Sequence, residues 1–304
     1  MPRLLCICSS ALVLFAAASS CQRAPTSSPR TAETPAAPAA EPTLSSTTLE
    51  HPGCFEIVAL DGDGAAPQRH EATPGECSLA TVPASTFKIP HALVALQTGV
   101  VTDPEKLEPW DGKTYWIDSW HRDHSLRTAI EESVVWFFQR TAKAIGQERM
   151  REQLAKLDYG NAKVDGDIEM FWLSGGSLEI TPDEQLDFVT RMFTGKLTID
   201  RVHVATVESI MQSDLSRWKP RVPPEFAMPS STATIWAKTG TDDVDDSSMT
   251  CPHAPCRVTW WMGAVEGPRG RFAFVSRVRD RGELGAVSPA VTQGIGALAR
   301  FGVL

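Results

Sequence analysis

The period of the hydrophobic pattern changes along the chain and separates strand-like ends from a helical middle. Residues 54–60 alternate between apolar and polar side chains before a run of aspartate and glycine, which predicts an edge strand and a turn. Three further strands are predicted at 232–241, 258–265 and 271–278. A last helix is predicted over 288–301. Strands at both ends of a helical middle favour an α+β fold whose two ends share one sheet.

The helical middle is expected to contain several separate helices. Apolar residues recur at helical spacing in five places: 86–99, 128–145, 147–157, from 181 onward, and 201–215. The helix that begins at Thr181 has a threonine as N-cap, Pro182 at its first position and acids in its first turn. Residues 110–127 contain three tryptophans without a clear period, which predicts irregular chain with helical turns.

Residues 1–20 predict a cleaved signal peptide. A single arginine precedes an apolar stretch that ends at Ala18 and is too short to span a membrane. Small residues before Cys21 resemble a bacterial lipoprotein cleavage box, so Cys21 is expected to carry lipid, while an ordinary cleaved signal is the alternative. Gln22 after the cysteine favours the outer membrane. The expected location is therefore the periplasm, with a lipid anchor as the only membrane contact.

The segment 21–50 differs in composition from the rest of the chain. It is rich in Pro, Ala, Ser and Thr and has almost no large apolar residues, which predicts a disordered tether before a folded domain at 51–304. The whole chain has 304 residues and a formal net charge of -8. This charge provides no basic surface for nucleic acid, so a small-molecule or peptide-like partner is expected. The sequence does not indicate an oligomeric state.

Cysteine usage favours an oxidising compartment. Two cysteines lie within the signal and Cys21 is the candidate for lipidation, which leaves Cys54, Cys77, Cys251 and Cys256. Proximity in sequence favours the pairs Cys54–Cys77 and Cys251–Cys256 among the three possible pairings. A zinc site is the competing use of four cysteines, but the Cys-x-x-Cys spacing typical of such sites is absent.

The candidate chemistry centres on Ser85 and Lys88 at the start of an apolar helical run. Residues three positions apart share one face of a helix, so a neutral or modified lysine there can take the serine proton. Ser85 would also lie at a helix N-terminus, where backbone N–H groups favour negative charge. Ser216 and Lys219 form a second pair with the same spacing. The assignment therefore depends on the motifs that accompany the first pair.

His121 and His124 have the spacing that metal ligands sometimes have. No third ligand lies nearby in the sequence, so structural or surface histidines are favoured and no metal is expected.

Five short motifs follow one another along the chain. They are Ser85-x-x-Lys88, Ser133-x-Val135, Tyr159-Gly160-Asn161, Phe171-Trp172-Leu173 and Lys238-Thr239-Gly240. With these motifs the sequence resembles the class D, oxacillin-hydrolysing serine β-lactamases, within the wider family of penicillin-recognising serine enzymes. The resemblance extends from Cys54 to the C-terminus. It implies a five-stranded antiparallel sheet with helices on both faces and an all-helical lobe, with the active site between them.

The resemblance also implies catalytic roles. Ser85 would attack a β-lactam carbonyl to form an acyl-enzyme, and Lys88, as N6-carboxylysine, would be the base for acylation and deacylation. Trp172 would hold the carbamate through its indole N–H, and Ser133 would pass a proton to the lactam nitrogen. The neighbours Phe87, Val134, Val135 and Trp172 suggest an apolar pocket that lowers the pKa of the lysine. Carbon dioxide or bicarbonate is then needed for the modification, and no other cofactor is expected.

Substrate binding is expected on the last motif. Lys238 and Thr239 would anchor the substrate carboxylate, Gly240 would leave room for it, Val135 would keep the base dry, and backbone N–H groups of Ser85 and Thr241 would hold the oxyanion. Tyr159-Gly160-Asn161 is expected to be architectural.

One departure concerns the arginine that the family usually places at the start of the last helix to bind the substrate carboxylate. This chain has Ala286-Val287-Ser288-Pro289 there, and Arg279 or Arg281 are candidates to replace the missing arginine.

Two alternatives to hydrolysis remain open. A penicillin sensor would be acylated without turnover, and a cell-wall transpeptidase would usually carry Ser-x-Asn where this chain has Ser133-x-Val135.

Overall fold

Six antiparallel strands form one sheet in the computed structural model, which describes residues 53–61, 66–244, 256–280 and 287–304. The strands are β1 (Gly53–Ala59), β2 (Gln68–Glu71), β3 (Gln212–Asp214), β4 (Thr234–Val244), β5 (Cys256–Gly267) and β6 (Gly270–Asp280). Their spatial order is β2-β1-β6-β5-β4-β3. Because β1 pairs with β6 along its whole length, the two ends of the domain share one sheet, as the hydrophobic pattern predicts.

The expected number of five strands is wrong by one edge strand. The sequence predicts a helix as far as Leu215, but that helix ends at Met211, and Gln212 turns into extended conformation. Residues 212–214 then pair with β4, and the Ser213 hydroxyl donates to the Ile235 carbonyl at 3.1 Å. The exposed edge of β4 therefore takes up three residues that helical spacing had assigned to the preceding helix.

Seven α-helices occur in the described residues. They are α1 (Lys88–Gln97), α2 (Leu126–Glu131), α3 (Val135–Ile145), α4 (Gln147–Leu157), α5 (Pro182–Phe193), α6 (Arg201–Met211) and α7 (Pro289–Arg300). The predicted start of α5 is confirmed, since the Thr181 hydroxyl accepts the Glu184 N–H and the Glu184 carboxylate accepts the Thr181 N–H. The single helix predicted over 128–145 is wrong, because α2 and α3 are separated at Ser133.

The sheet has a hydrophobic core on each face. Alternation along β5 places Trp260 in the larger core with the helices of the middle of the chain, and Trp261 in a second core with α7. Helices therefore cover both faces, which confirms the α+β class.

The predicted Cys54–Cys77 disulfide is present, and it rules out zinc binding by these two thiols. Cys256 is also disulfide-bonded. Its predicted partner Cys251 lies outside the described residues. Next to the first disulfide, Arg277 and Arg279 of β6 both form ion pairs with buried Glu76. Arg279 is therefore held in the protein interior, on the side of the disulfide.

Several predictions fall on residues that the structure does not describe. These are the signal at 1–20, the tether at 21–50, lipidated Cys21, Cys251 and Arg281. Within the described ranges, no helix combines the length and the apolar character that crossing a bilayer requires.

Candidate active site

Ser85 and Lys88 are joined by a hydrogen bond at the start of the first long helix. Ser85 lies in a 3-10 helix, Ala84–Phe87, that leads directly into α1, and Lys88 Nζ donates to Ser85 Oγ at 2.8 Å. The Thr86 hydroxyl closes this turn by donating to the Pro83 carbonyl at 2.6 Å. The three-residue spacing thus brings the two side chains together, as predicted.

Lys88 is fully buried, and this burial governs its protonation. Loss of hydration lowers the pKa of Lys88 to about 7, and the negative charge of Asp242 opposes that shift. The Phe138 ring lies 5.5 Å from the lysine nitrogen. Of the predicted apolar neighbours, Phe87, Val134 and Trp172 are fully buried, whereas Val135 is partly exposed to the cavity. A large fraction of Lys88 is therefore neutral near pH 7.

Trp172 lies beside α1 with an unsatisfied donor. Its ring packs against Phe87 at 5.6 Å and His91 at 5.7 Å, the residues that flank Lys88 on the helix. Its Nε1 is buried and has no hydrogen-bond partner within the described chain. A buried N–H without a partner costs free energy, so the position suits an acceptor bound next to Lys88. Burial and the Lys88 charge lower the pKa of His91 to about 3, which keeps that imidazole neutral.

Ser133 occupies the break between α2 and α3. Its φ of 61° is in the left-handed region, which a helix cannot continue through. The break turns the hydroxyl toward β4, where Lys238 Nζ donates to Ser133 Oγ at 3.0 Å and to the Thr239 carbonyl at 2.9 Å. Burial lowers the pKa of Lys238 well below its ordinary value, and the charges of Lys88, Arg221 and Arg217 act in the same direction.

Gly240 lets β4 pass close to the turn that carries Ser85. A Cβ at this position would lie 2.9 Å from the Pro83 carbonyl oxygen, 3.0 Å from the Thr86 nitrogen and 3.2 Å from the Ser85 nitrogen. These atoms belong to the backbone and cannot move aside easily. A glycine is therefore required for the strand to approach the serine this closely.

A cavity of about 790 Å³ opens onto this cluster. Its lining includes five of the predicted site residues: Ser85, Ser133, Val135, Thr239 and Thr241. Lys88 and Trp172 lie behind the lining and are fully buried. The structure thus brings most of the predicted site residues together at one cavity, while Lys238 bonds Ser133 and lines a second cavity.

Asp242 is a cavity residue that the sequence motifs do not identify. Its Oδ2 accepts the Ser174 N–H at 2.9 Å, and burial raises the pKa of this carboxyl group. Side chains alternate along a strand, so Lys238, Gly240 and Asp242 share one face of β4. The alternation along the strand is therefore the feature of the sequence from which Asp242 could have been identified.

The other candidates from the sequence lie elsewhere. Ser216 is exposed, and its hydroxyl bonds the carboxylate of Asp214, so the second serine–lysine pair forms no buried site. The Tyr159 hydroxyl donates to Gln185 in the core, as expected of an architectural residue. His121 accepts the Tyr115 N–H, and buried His124 bonds Thr128.

Comparison with known proteins gives consistent results. Residues 56–295 match the penicillin binding protein transpeptidase domain. The chain is 33% identical over 201 residues to the probable β-lactamase YbxI of Bacillus subtilis, covering 66% of either chain. It is 36% identical over 187 residues to β-lactamase OXA-48 of Klebsiella pneumoniae, covering 62% of either chain. The chain thus spans just under two thirds of the length of these relatives.

The fold is also similar to a solved structure. The crystal structure of a class D β-lactamase from Bacillus subtilis superposes with a TM-score of 0.67 at 29% identity, covering 84% of this chain and 93% of the other.

Proposed function

The chain belongs to the family of penicillin-recognising proteins that includes the class D β-lactamases, and we propose that it hydrolyses β-lactam antibiotics through an acyl-enzyme on Ser85. The observation that carries this proposal is the buried Lys88 amine, which bonds Ser85 Oγ at 2.8 Å. A nucleophile paired with a dry base of pKa about 7 is the arrangement that acyl transfer near neutral pH requires.

Acylation uses the serine, the lysine and the second serine. The carbamate of carboxylated Lys88 would take the Ser85 proton while Ser85 Oγ bonds the lactam carbonyl carbon. The lactam C–N bond then breaks, its nitrogen takes the Ser133 proton, and the Lys238 amine, which donates to Ser133 Oγ, returns a proton to Ser133. Because Lys238 donates to the oxygen of Ser133, the hydroxyl hydrogen of Ser133 is free to point toward the substrate.

Deacylation needs a base that activates water after the leaving group has departed. A carboxyl group on Lys88 would supply an anionic oxygen for this purpose, from carbon dioxide or bicarbonate. The described residues fit that group, because the buried Nε1 of Trp172 has no partner among them and the Trp172 ring packs against Phe87, the residue before Lys88. Partly buried Val135 lines the cavity and limits water around the lysine.

The remaining roles concern charge on the substrate. We assign the oxyanion to the backbone N–H groups of Ser85 and Thr241, which the close approach at Gly240 brings toward each other. Lys238 and Thr239 would bind the substrate carboxylate.

We also propose that the protein is exported to the periplasm and anchored to the outer membrane through lipid on Cys21. Mass analysis of the mature N-terminus and fractionation of membranes test this proposal, and a soluble product cleaved elsewhere would contradict it.

An intact-mass time course with excess benzylpenicillin tests the function. We expect a transient adduct on Ser85 that disappears as penicilloic acid accumulates. Ser85→Ala should form no adduct, whereas Ser216→Ala, at the other serine–lysine pair, should behave as wild type. A persistent adduct would indicate a penicillin sensor or a transpeptidase-like protein, and a wild type that forms neither an adduct nor penicilloic acid would contradict the proposal.

A further inference from the structure

The start of α7 lacks an arginine for a substrate carboxylate. Ser288 and Pro289 stand at that position. Arg279 cannot replace the arginine, because it is 5% exposed and forms an ion pair with buried Glu76. Arg281, the other candidate, lies outside the described residues. Among the described residues, a cation for the carboxylate therefore has to come from a different element.

A 3-10 helix, Leu215–Arg221, occupies the space in front of α7. The Ser288 N–H donates to the Arg221 carbonyl at 2.7 Å, which ties the end of this helix to the start of α7. Trp218 anchors the same helix, since its ring packs on Trp261 at 5.3 Å in the core under the sheet. Arg221 thus stands next to the first residues of α7, although it comes from an element much earlier in the chain.

Arg221 faces the cavity that contains Ser85. Arg221 and Thr239 line both this cavity and a second one of about 400 Å³, which Lys238 also lines. Arg217 lines the second cavity and donates to the Glu131 carbonyl at 3.3 Å. The Arg221 guanidinium has no hydrogen bond or ion pair within the described residues. This includes Glu131, the acid that lines the second cavity.

Several positive side chains act on Lys238. Burial and the charges of Lys88, Arg221 and Arg217 all lower the pKa of Lys238, so these cations disfavour a positive charge on its amine. Lys238 bonds only Ser133 and the Thr239 carbonyl among the described residues, and neither carries a charge. An anion bound between these groups would relieve the repulsion. A guanidinium also presents two parallel N–H groups that match a carboxylate.

We propose that Arg221 binds the substrate carboxylate together with Lys238 and Thr239, in place of an arginine at the start of the last helix. This inference rests on the proposed function and identifies the specificity-determining cation of the same site.

The test compares benzylpenicillin with its methyl ester, which lacks the negative charge. In Arg221→Ala, we expect kcat/KM for benzylpenicillin to fall about 10- to 100-fold, mainly through KM, because a hydrogen-bonded charge pair is lost. The value for the methyl ester should stay within about twofold of wild type, since the ester has no charge for Arg221 to bind. Arg221→Lys should retain part of the preference for the acid over the ester, because lysine keeps the positive charge but lacks the two parallel N–H groups of a guanidinium.

Lys219→Ala is the matched control. Lys219 is exposed on the same 3-10 helix and lines neither cavity, so its loss removes the same charge without touching the site. We expect wild-type kinetics on both substrates.

Two outcomes would overturn the inference alone. Unchanged kinetics in Arg221→Ala would show that the guanidinium does not bind substrate, and an equal loss on acid and ester would show a structural role. If the wild type neither reacts with nor hydrolyses benzylpenicillin, the proposed function fails and this inference fails with it.

Discussion

Lys238 and Ser133 are joined by a hydrogen bond of 3.0 Å that links the sheet to the helical part of the chain. Lys238 is on β4, whereas Ser133 lies at the break between α2 and α3. The two residues lie 105 positions apart in the sequence. The proton path proposed for the lactam nitrogen therefore exists only when the sheet and the helices are docked against each other.

Turnover by the wild-type protein should fall as the pH drops below about 7. The pKa of Lys88 is lowered to about 7 by burial, and a protonated amine neither accepts the Ser85 proton nor reacts with carbon dioxide. We expect kcat/KM for benzylpenicillin to fall about tenfold per pH unit on the acid side. Added bicarbonate should raise activity near pH 7. Full activity at pH 5 in bicarbonate-free buffer would contradict a carboxylated base.

Replacing Lys88 by methionine should abolish turnover and stabilise the fold. The pKa of Lys88 is lowered from 10.5 to about 7, so between these values the unfolded chain binds a proton that the folded chain does not. The free energy of unfolding of the wild type should therefore rise with pH across this window. In bicarbonate-free buffer at pH 7, Lys88→Met should gain about 1 to 4 kcal/mol by urea denaturation.

Exposed Lys219 provides the control for that measurement. Lys219→Met should leave the unfolding free energy and its pH dependence unchanged. A Lys88→Met protein that is less stable than the wild type at pH 7 would show that the buried amine is not a cost.

Loss of the Trp172 indole N–H should weaken activation by bicarbonate. In Trp172→Phe, we expect the bicarbonate concentration for half-maximal turnover to rise about tenfold, because a hydrogen bond to a charged group is lost. Trp261→Phe is the matched control, since its Nε1 is also buried and has no partner in the described part of the chain, but lies in the core on the other face of the sheet. Equal bicarbonate dependence in both variants would refute the role of Trp172.

Asp242→Asn should move the acid limb of the pH profile to lower pH. The negative charge of Asp242 raises the pKa of Lys88, so its removal lowers that pKa and leaves more neutral amine at pH 6. We expect activity at pH 6 to rise about threefold, and an asparagine oxygen can still accept the Ser174 N–H. Asp243→Asn is the control, because Asp243 pairs with Arg257. A shift of the profile in Asp243→Asn alone would contradict this account.

Gly240→Ala should damage both catalysis and stability. The added methyl group would press on the Pro83 oxygen and on the Ser85 and Thr86 nitrogens, and thereby displace the nucleophile. We expect the acylation rate to fall about 100-fold and the unfolding free energy to fall about 1 to 3 kcal/mol. Stopped-flow acylation and urea denaturation measure the two effects.

Gly296 on α7 offers the matched substitution. A Cβ there meets only the flexible Arg300 side chain, at 3.5 Å or more. Gly296→Ala should keep full activity and gain about 0.5 to 1 kcal/mol from helix propensity. Wild-type acylation in Gly240→Ala would show that the close approach is not required.

The parts of the site that depend on local spacing could be predicted from the sequence. Ser85 and Lys88 are three residues apart, and a helical turn is sufficient to bring them together. The break at Ser133 could not be predicted, because a serine gives no local signal for a left-handed backbone and its partner Lys238 lies far away in the sequence. Apolar residues continue at helical spacing through position 133, so the sequence predicts one uninterrupted helix there.

Arg221, which we propose as the ligand of the substrate carboxylate, also could not be identified from local sequence spacing. The Arg221 carbonyl accepts the Ser288 N–H, and this hydrogen bond places Arg221 next to α7. No local sequence pattern predicts that contact. The sequence offered Arg279 and Arg281 because both are nearer along the chain. The buried carboxylate of Glu76 holds Arg279 on another side of the sheet, and Arg281 lies outside the described residues.

At position 133, stability and activity favour different residues. The left-handed backbone favours glycine, whereas the proposed proton transfer needs serine. Glycine adopts this conformation without the cost of about 1 to 2 kcal/mol that a side chain brings. A population selected only for survival of the fold on heating should therefore drift to glycine at position 133. A population grown on a β-lactam should keep serine and accept the lower melting temperature. The residue found at this position then records which pressure a lineage has experienced.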